Sequence, residues 1–71
     1  MHEIDVRIIA AIDHLSTIPA LRITTVAITR QINASGFAVK ELAVRRHLRA
    51  MEIRKIVRED GSNRFPSWAR L

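Results

Sequence analysis

The side chains of this sequence that are best suited to chemistry are arginines, and they are concentrated in its second half. Arg45, Arg46 and Arg49 fall within one short stretch, and Arg58 and Arg64 follow. A guanidinium group holds its N–H donors in a rigid fork, so it can donate two hydrogen bonds at once to a phosphate or to the O6 and N7 atoms of guanine. The cluster therefore indicates a surface that meets a polyanion.

The distribution of charge points the same way. The chain carries 12 basic and 7 acidic side chains, a net charge of +5. Residues 1–39 are neutral, because three arginines balance three carboxylates there, and the whole excess lies in residues 40–71. Such asymmetry is typical of proteins that bind nucleic acid. A basic face that only keeps the protein soluble is the plainer alternative.

The sequence lacks the residue sets that common catalytic and metal sites require. It contains no cysteine, and His2, His14 and His47 are too scattered for a set of metal ligands. It has no Ser-His-Asp set and no glycine-rich phosphate loop. A chain of 71 residues also has little room for a substrate pocket of several hundred Å³. We therefore expect no enzymatic activity, no cofactor and no bound metal.

Three helices are predicted from the apolar periodicity and the turn residues. An apolar stripe with helical spacing predicts a first helix over about residues 3–16, which Pro19 follows. After a short strand predicted over residues 22–24, Thr24 or Thr25 can cap a second helix that closes at Gly36. The third helix is predicted over about residues 39–51. The stripe of helix 1 comprises Ile4, Ile8, Ala11, Ile12 and Leu15.

The third helix separates an apolar face from a basic one. Val44, Leu48 and Met51 recur with helical spacing and form the predicted inner face. Arg46 points almost opposite that stripe, and Arg45 and Arg49 flank it. Arg46 is therefore the first candidate for a contact to a base.

A β-hairpin is predicted beyond the third helix. Residues 56–59 are typical of a strand, residues 60–63 of a turn, and residues 64–71 of a returning strand. Strand alternation alone would leave Trp68 on an outer face with Pro66 and Arg70. Because a thin core needs the large apolar area of a tryptophan, we expect Trp68 to be buried against the helices instead.

This order of elements resembles the winged helix-turn-helix superfamily. Residues 28–32 resemble its second helix, residues 44–52 resemble the recognition helix of its prokaryotic members, and residues 56–58, Gly61 and Trp68 match its wing. The resemblance covers nearly the whole chain. One departure is that the chain spends more residues between Ile32 and Val44 than the usual tight turn, so either helix 3 starts early or the loop is enlarged.

The resemblance implies a single domain over residues 1–71, mainly α-helical with a small β-hairpin. It also implies binding of double-stranded DNA in transcription regulation, with the recognition helix in the major groove and the wing, residues 56–70, on the backbone or in the minor groove. Whole proteins of this size are similar to small bacterial, plasmid or phage regulators, so we expect a cytoplasmic, nucleoid-associated protein. The expected DNA contacts are Thr24, Thr25, Lys40, Arg45, Arg46, Arg49, Arg58, Asn63 and Arg64.

Other partners stay open at this point. A winged helix can instead use a basic face to bind an acidic protein, or recognise an unusual nucleic-acid structure. Pro66 and Trp68 are similar to residues of winged helices that bind left-handed DNA, although the chain has no tyrosine to match theirs. Val6, Ile9 and Ala10 on the far side of helix 1 suggest a homodimer seam or a site for a partner regulatory protein. No membrane association is expected, because Arg7 and Asp13 interrupt the apolar N-terminal run, which no basic segment precedes.

Overall fold

The computed structural model describes residues 1–61, 64 and 66–71. Within them the chain forms three α-helices followed by an antiparallel hairpin, which confirms the predicted fold class. The elements are α1 (Glu3–Leu15), α2 (Thr25–Ala34), α3 (Glu41–Ile53), β1 (Val57–Gly61) and β2 (Pro66–Arg70).

Helix α2 begins and ends with the groups that its sequence predicts. Thr24 is the N-cap, and its hydroxyl accepts a hydrogen bond of 3.0 Å from the N–H of Ala27. At the other end Gly36 has φ 95°, and the N–H of Phe37 donates to the carbonyl of Ile32 at 3.3 Å. This is a Schellman-type end, in which a left-handed residue satisfies the last carbonyls of a helix.

The extra residues between α2 and α3 belong to the loop, so the expectation that α3 begins at Val39 is wrong. The side-chain amide of Asn33 donates to the carbonyl of Val39 at 2.9 Å and accepts from its N–H at 3.2 Å. This pair of bonds holds Val39 in an extended loop. Lys40 is then the N-cap of α3, with φ −96° and ψ 151°, and contributes no side-chain capping bond.

Helix α3 ends two residues later than the sequence predicts, and the left-handed position after its end holds an uncommon residue type. Lys55 has φ 61°, its N–H donates to the carbonyl of Glu52 at 3.0 Å, and the N–H of Ile56 donates to that of Met51 at 2.9 Å. This is the same arrangement as at Gly36, although a lysine now occupies the left-handed position that glycine usually fills.

The hairpin packs one of its faces onto the helices. Glu59 pairs with Trp68 and Val57 with Arg70, so these four side chains share a face of the sheet. Arg70 on that face donates to a carboxylate oxygen of Asp13 on α1 at 2.7 Å. Trp68 therefore does not lie on an outer face, as strand alternation alone would predict, because its face of the sheet is the one turned toward the helices.

The short strand expected over residues 22–24 does not form. The N–H of Trp68 donates to the carbonyl of Ile23 at 2.8 Å, but Thr24 already turns away to cap α2. Among the described residues the sheet has two strands, β1 and β2. The extended segment is nevertheless tied to the hairpin by this bond.

The three helices and the hairpin enclose one core. Trp68 is 3% exposed, which confirms its structural role, and its indole N–H donates to the hydroxyl of Thr25 at 3.1 Å. The polar contact between α1 and α3 joins Asp5, which is buried, to Nδ1 of His47 at 2.8 Å. The core comprises Ile8, Ala11, Ile12, Leu15, Ile28, Ile32, Val44, Leu48, Met51, Val57 and Trp68.

The far side of α1 exposes less apolar surface than the sequence suggests. Val6 is 53% exposed and Ala10 is exposed, but Ile9 is half-buried and packs against the core. The seam proposed for a homodimer is therefore narrower than expected, and dimerisation stays a prediction. Among the described residues, no helix has the length and apolar character needed to span a membrane.

Candidate nucleic-acid interface

The exposed face of α3 combines one arginine with two large apolar side chains. Val44, Leu48 and Met51 are buried, which confirms the predicted inner stripe. Arg46 is exposed on the opposite side. Leu42 and Ile53 lie on that same outer side by helical spacing, 56% and 81% exposed.

The three arginines of α3 differ in what they contact. Arg45 makes an ion pair of 2.8 Å with Glu41, one turn earlier on the helix. Arg49 contacts Glu52 and Glu59, each at 3.1 Å. Arg46 makes no ion pair or side-chain hydrogen bond within the described part of the chain, so its donors are available to a ligand.

Arg49 is tied into the structure on three sides. Hydrogen bonds to Glu59 and then to Glu52 raise the pKa of Arg49 above its ordinary value. Its guanidinium carbon also lies 5.2 Å from the centre of the Trp68 ring, within the range of a cation–π contact. Arg49 therefore joins α3 to the hairpin and covers the core tryptophan. A phosphate would have to compete with two carboxylates for its donors.

A cleft of about 220 Å³ brings together several residues that lie far apart in the sequence. It lies where the start of α2, the first turns of α3 and the hairpin meet. Four of the predicted contact residues line it: Thr24, Thr25, Arg45 and Arg64. The remaining lining residues are Arg22, Val26, Glu41 and Pro66.

The two threonines of the cleft have structural roles that leave their hydroxyl protons available. The oxygen of Thr24 accepts from the N–H of Ala27, and that of Thr25 accepts from the indole of Trp68. A hydroxyl can accept and donate at the same time. Capping and core packing therefore fix both oxygens in place while each O–H can still donate to an anion.

Arg22 is a cleft residue that the sequence reasoning missed. It precedes α2 in the extended segment, and the charge argument counts it only as part of the neutral half of the chain. The signal that could have found it is its position two residues before the N-cap Thr24. In the structure Arg22 lines the cleft together with Thr24 and Thr25 at the start of α2.

The other predicted contact residues are more dispersed. Lys40 borders a separate hollow with Asn33 and Val39, away from the cleft. Arg58 makes an ion pair of 3.1 Å with Asp60 and so offsets the charge of that carboxylate. Arg64 is exposed, and Asn63 lies outside the described residues.

The exposed charged side chains that make no ion pair among the described residues are positive. Six of the 7 acidic side chains contact an arginine, and the seventh, Asp5, contacts His47. The exposed cations that make no ion pair among the described residues are Arg30, Lys40, Arg46, Arg54, Lys55 and Arg64. Five of these six belong to residues 40–71, where the sequence places the excess. In the described part of the chain no group of His, Asp and Glu side chains is arranged to hold a metal ion.

Comparison with known proteins agrees with this architecture. The sequence model of the family described as the ribonuclease R winged-helix domain matches residues 7–69, which is nearly the whole chain. Curated proteins and solved structures yield no significant match. The matched range runs from the first turns of α1 to the end of β2, so it covers α3, the cleft and the hairpin. Winged-helix domains are binding modules for nucleic acid or protein.

Proposed function

The chain belongs to the ribonuclease R winged-helix domain family, and from this premise we propose that it binds duplex DNA with a preference for sequence. Helix α3 lies in the major groove and the hairpin lies on the backbone or in the minor groove. The observation that carries the proposal is the exposure of Arg46 together with its available N–H donors. It is exposed at the middle of the outer face of α3 and makes no ion pair or side-chain hydrogen bond among the described residues.

An arginine in this position is suited to reading a base pair. The major groove admits an α-helix, and guanine presents O6 and N7 there as two acceptors that match the fork of a guanidinium. The N–H donors of Arg49 must leave Glu52 and Glu59 before they can bind DNA. Those of Arg46 have no such internal carboxylate to leave among the described residues. Arg46 therefore specifies the base, and the other basic residues position the helix.

The cleft beside α3 is suited to the phosphate backbone. Arg64 carries positive charge on its wall, Arg45 does so in an ion pair with Glu41, and Thr24 and Thr25 each have an O–H to donate. Phosphate contacts of this kind fix the register of a protein on the duplex and carry no sequence information themselves. The hairpin contributes Arg58 and Asn63 in the same role. Lys40 and Arg49 serve it as well, although Arg49 must also release Glu52 and Glu59.

The biological role that fits such binding is regulation of transcription. A domain that occupies a site on DNA can block or recruit other factors there. This role places the protein with the nucleoid in the cytoplasm of a prokaryotic cell. The function is binding without catalysis, so labelled DNA and RNA incubated with the protein should both stay intact.

Selection of bound sequences from a random duplex pool, followed by substitution of Arg46, tests the proposal. The selection should enrich a motif that contains guanine. Arg46→Ala should lower affinity for that motif by about 1–3 kcal/mol and should change affinity for random duplex little, because a base contact discriminates between sequences. Equal losses on both duplexes would show that Arg46 contacts only the backbone.

Two further arginines serve as controls for that experiment. Arg30 on α2 is likewise exposed and makes no ion pair among the described residues, so Arg30→Ala removes the same charge from a different helix. It should leave the ratio of the two affinities unchanged. Arg64→Ala in the cleft should weaken binding to both duplexes by similar amounts. A change of sequence preference in either control would contradict the assignment of base reading to α3.

The dependence of affinity on salt tests the backbone contacts separately. With about four to six phosphate contacts, the logarithm of affinity should fall with the logarithm of salt concentration with a slope of about −4 to −5. A slope near zero on duplex DNA would leave only binding to a protein partner.

Duplex RNA is the most important competing ligand, because the family is named for a ribonuclease. The major groove of A-form RNA is deep and narrow, and side chains on a helix cannot read it. We therefore expect the RNA version of the selected duplex to bind more weakly than the DNA. RNA binding as tight as DNA binding would overturn the proposed ligand.

A further inference from the structure

We infer that Leu42 contacts the 5-methyl group of a thymine that lies within about two base pairs of the guanine read by Arg46. The inference rests on the proposed function and names the base sequence that the same surface prefers. It makes α3 a reader of two adjacent features, one polar and one apolar.

Leu42 is not needed by the core. It is 56% exposed, and neither the buried cluster nor the apolar side chains that pack against it include this residue. The core stripe of α3 runs along the other side of the helix, through Val44 and Leu48. Leu42 is four residues before Arg46, so the two side chains are neighbours on the outer face, with Cβ atoms about 5–6 Å apart.

The arrangement of Leu42 and Arg46 limits what can cover this face. A purely apolar protein surface would bury Leu42 favourably but would also strip water from the guanidinium of Arg46 without offering it acceptors, which is costly. The major groove of DNA offers both kinds of contact side by side. Guanine O6 and N7 accept from arginine, and the thymine methyl group is the apolar feature of the groove.

Helix and duplex dimensions set the separation of the two bases. Base pairs follow one another about every 3.4 Å along the duplex. A separation of about 5–6 Å between Leu42 and Arg46 along the outer face therefore spans about two base pairs. The thymine should lie on the side of the guanine that faces the N-terminal end of α3.

Ile53 is a matched control on the same face. It is 81% exposed and is the last residue of α3. It lies 11 residues beyond Leu42, about 16 Å farther along the helix axis. Because the N-terminal residues of a recognition helix make most base contacts, Ile53 should not contact the same thymine.

The experiment uses the duplex selected by the full chain, with each thymine replaced singly by deoxyuridine. This replacement removes one methyl group and keeps every base-pair hydrogen bond. Replacement at one position near the guanine should lower the affinity of the chain about fourfold, the loss expected when one buried methyl group is removed. In Leu42→Ala the loss at that position should disappear, and in Ile53→Ala it should persist.

The failures of the two proposals are distinguishable. If no thymine near the guanine is sensitive, or if its sensitivity survives in Leu42→Ala, the inference about Leu42 is wrong while binding dependent on Arg46 still stands. If sensitivity disappears in Ile53→Ala instead, the outer face is assigned in the wrong direction and the inference is again overturned. If the parent chain itself shows no sequence-preferring binding to DNA, the proposed function is wrong. Circular dichroism of both variants should match the parent chain, since both side chains are exposed.

Discussion

Both long faces of α3 carry large aliphatic side chains, but those of one face are buried and those of the other are exposed. Leu48 on one face is fully buried among the other helices, and Leu42 on the other is 56% exposed beside Arg46. A helix that only supported the core would gain from polar residues at its outer positions. The inner face serves folding, and the outer face is the one that contacts DNA in the proposed function.

The same division separates the arginines. Arg49 is recruited by Glu52 and Glu59 into the contact between α3 and the hairpin, and Arg46 is left without such a partner among the described residues. Three arginines that look equivalent in the sequence therefore serve different ends. Their roles depend on which of them a carboxylate from another part of the fold can reach.

The largest effect is expected from a matched pair of leucine truncations on the two faces. Leu48→Ala should destabilise the domain by about 2–5 kcal/mol, because it leaves a cavity in the core. A domain this small has only about 3–5 kcal/mol of stability, so much of the protein should unfold at room temperature. Leu42→Ala should change stability by less than about 0.5 kcal/mol. Urea unfolding followed by circular dichroism measures both, and similar losses in the two variants would abolish the distinction between the faces.

The next effect concerns Thr25, which borders the cleft and also contacts the core. Thr25→Val keeps the shape of the side chain but leaves the buried indole N–H of Trp68 without its acceptor, a loss of about 1–3 kcal/mol. Thr25→Ser retains the hydroxyl and should retain most of the stability. Thermal unfolding monitored by tryptophan fluorescence separates the two. Equal stability of the valine variant and the parent would mean that Thr25 belongs to the binding surface alone.

A smaller effect is expected from removing Arg49. Arg49→Ala loses exposed ion pairs and a contact over the Trp68 ring, which together contribute about 1 kcal/mol. Arg46→Ala should leave the free energy of unfolding unchanged, since Arg46 makes no such contact among the described residues. Chemical unfolding of both variants in low salt is the measurement. If Arg46→Ala lowers the free energy of unfolding more than Arg49→Ala does, the structural roles assigned to these two arginines are wrong.

The smallest effect is expected at the C-terminal end of α3, just beyond both faces. Lys55 has φ 61°, a conformation that glycine adopts with less strain, so Lys55→Gly should raise stability by about 0.5–1 kcal/mol. Gly36 has φ 95° at the equivalent position of α2, and a Cβ there would meet no atom within 4 Å. Gly36→Ala should therefore lower stability by a similar amount through backbone strain alone. Melting temperatures that move in the same direction for both variants would contradict this account.

The local elements of this protein are readable from short-range patterns. The apolar stripes place α1, α2 and α3 to within two residues at each end, and the inner faces agree with the structure. The hydroxyl of Thr24 and the glycine at position 36 mark the ends of α2. These features depend on backbone geometry and on a few neighbouring residues, and periodicity reports them directly.

The sequence by itself therefore determined the helices, the hairpin, the inner stripe of α3 and the half of the chain that carries the excess charge. Only the tertiary structure decided that Arg49 meets Glu59, that Arg22 and Arg64 share a cleft, and that the indole N–H of the buried Trp68 meets Thr25. Each of these contacts joins residues that are 10 or more positions apart. Periodicity states which side of an element faces the core, but it does not state which neighbour lies there. That depends on how the helices and the hairpin pack together, because the ends of side chains meet only once the backbones are in place.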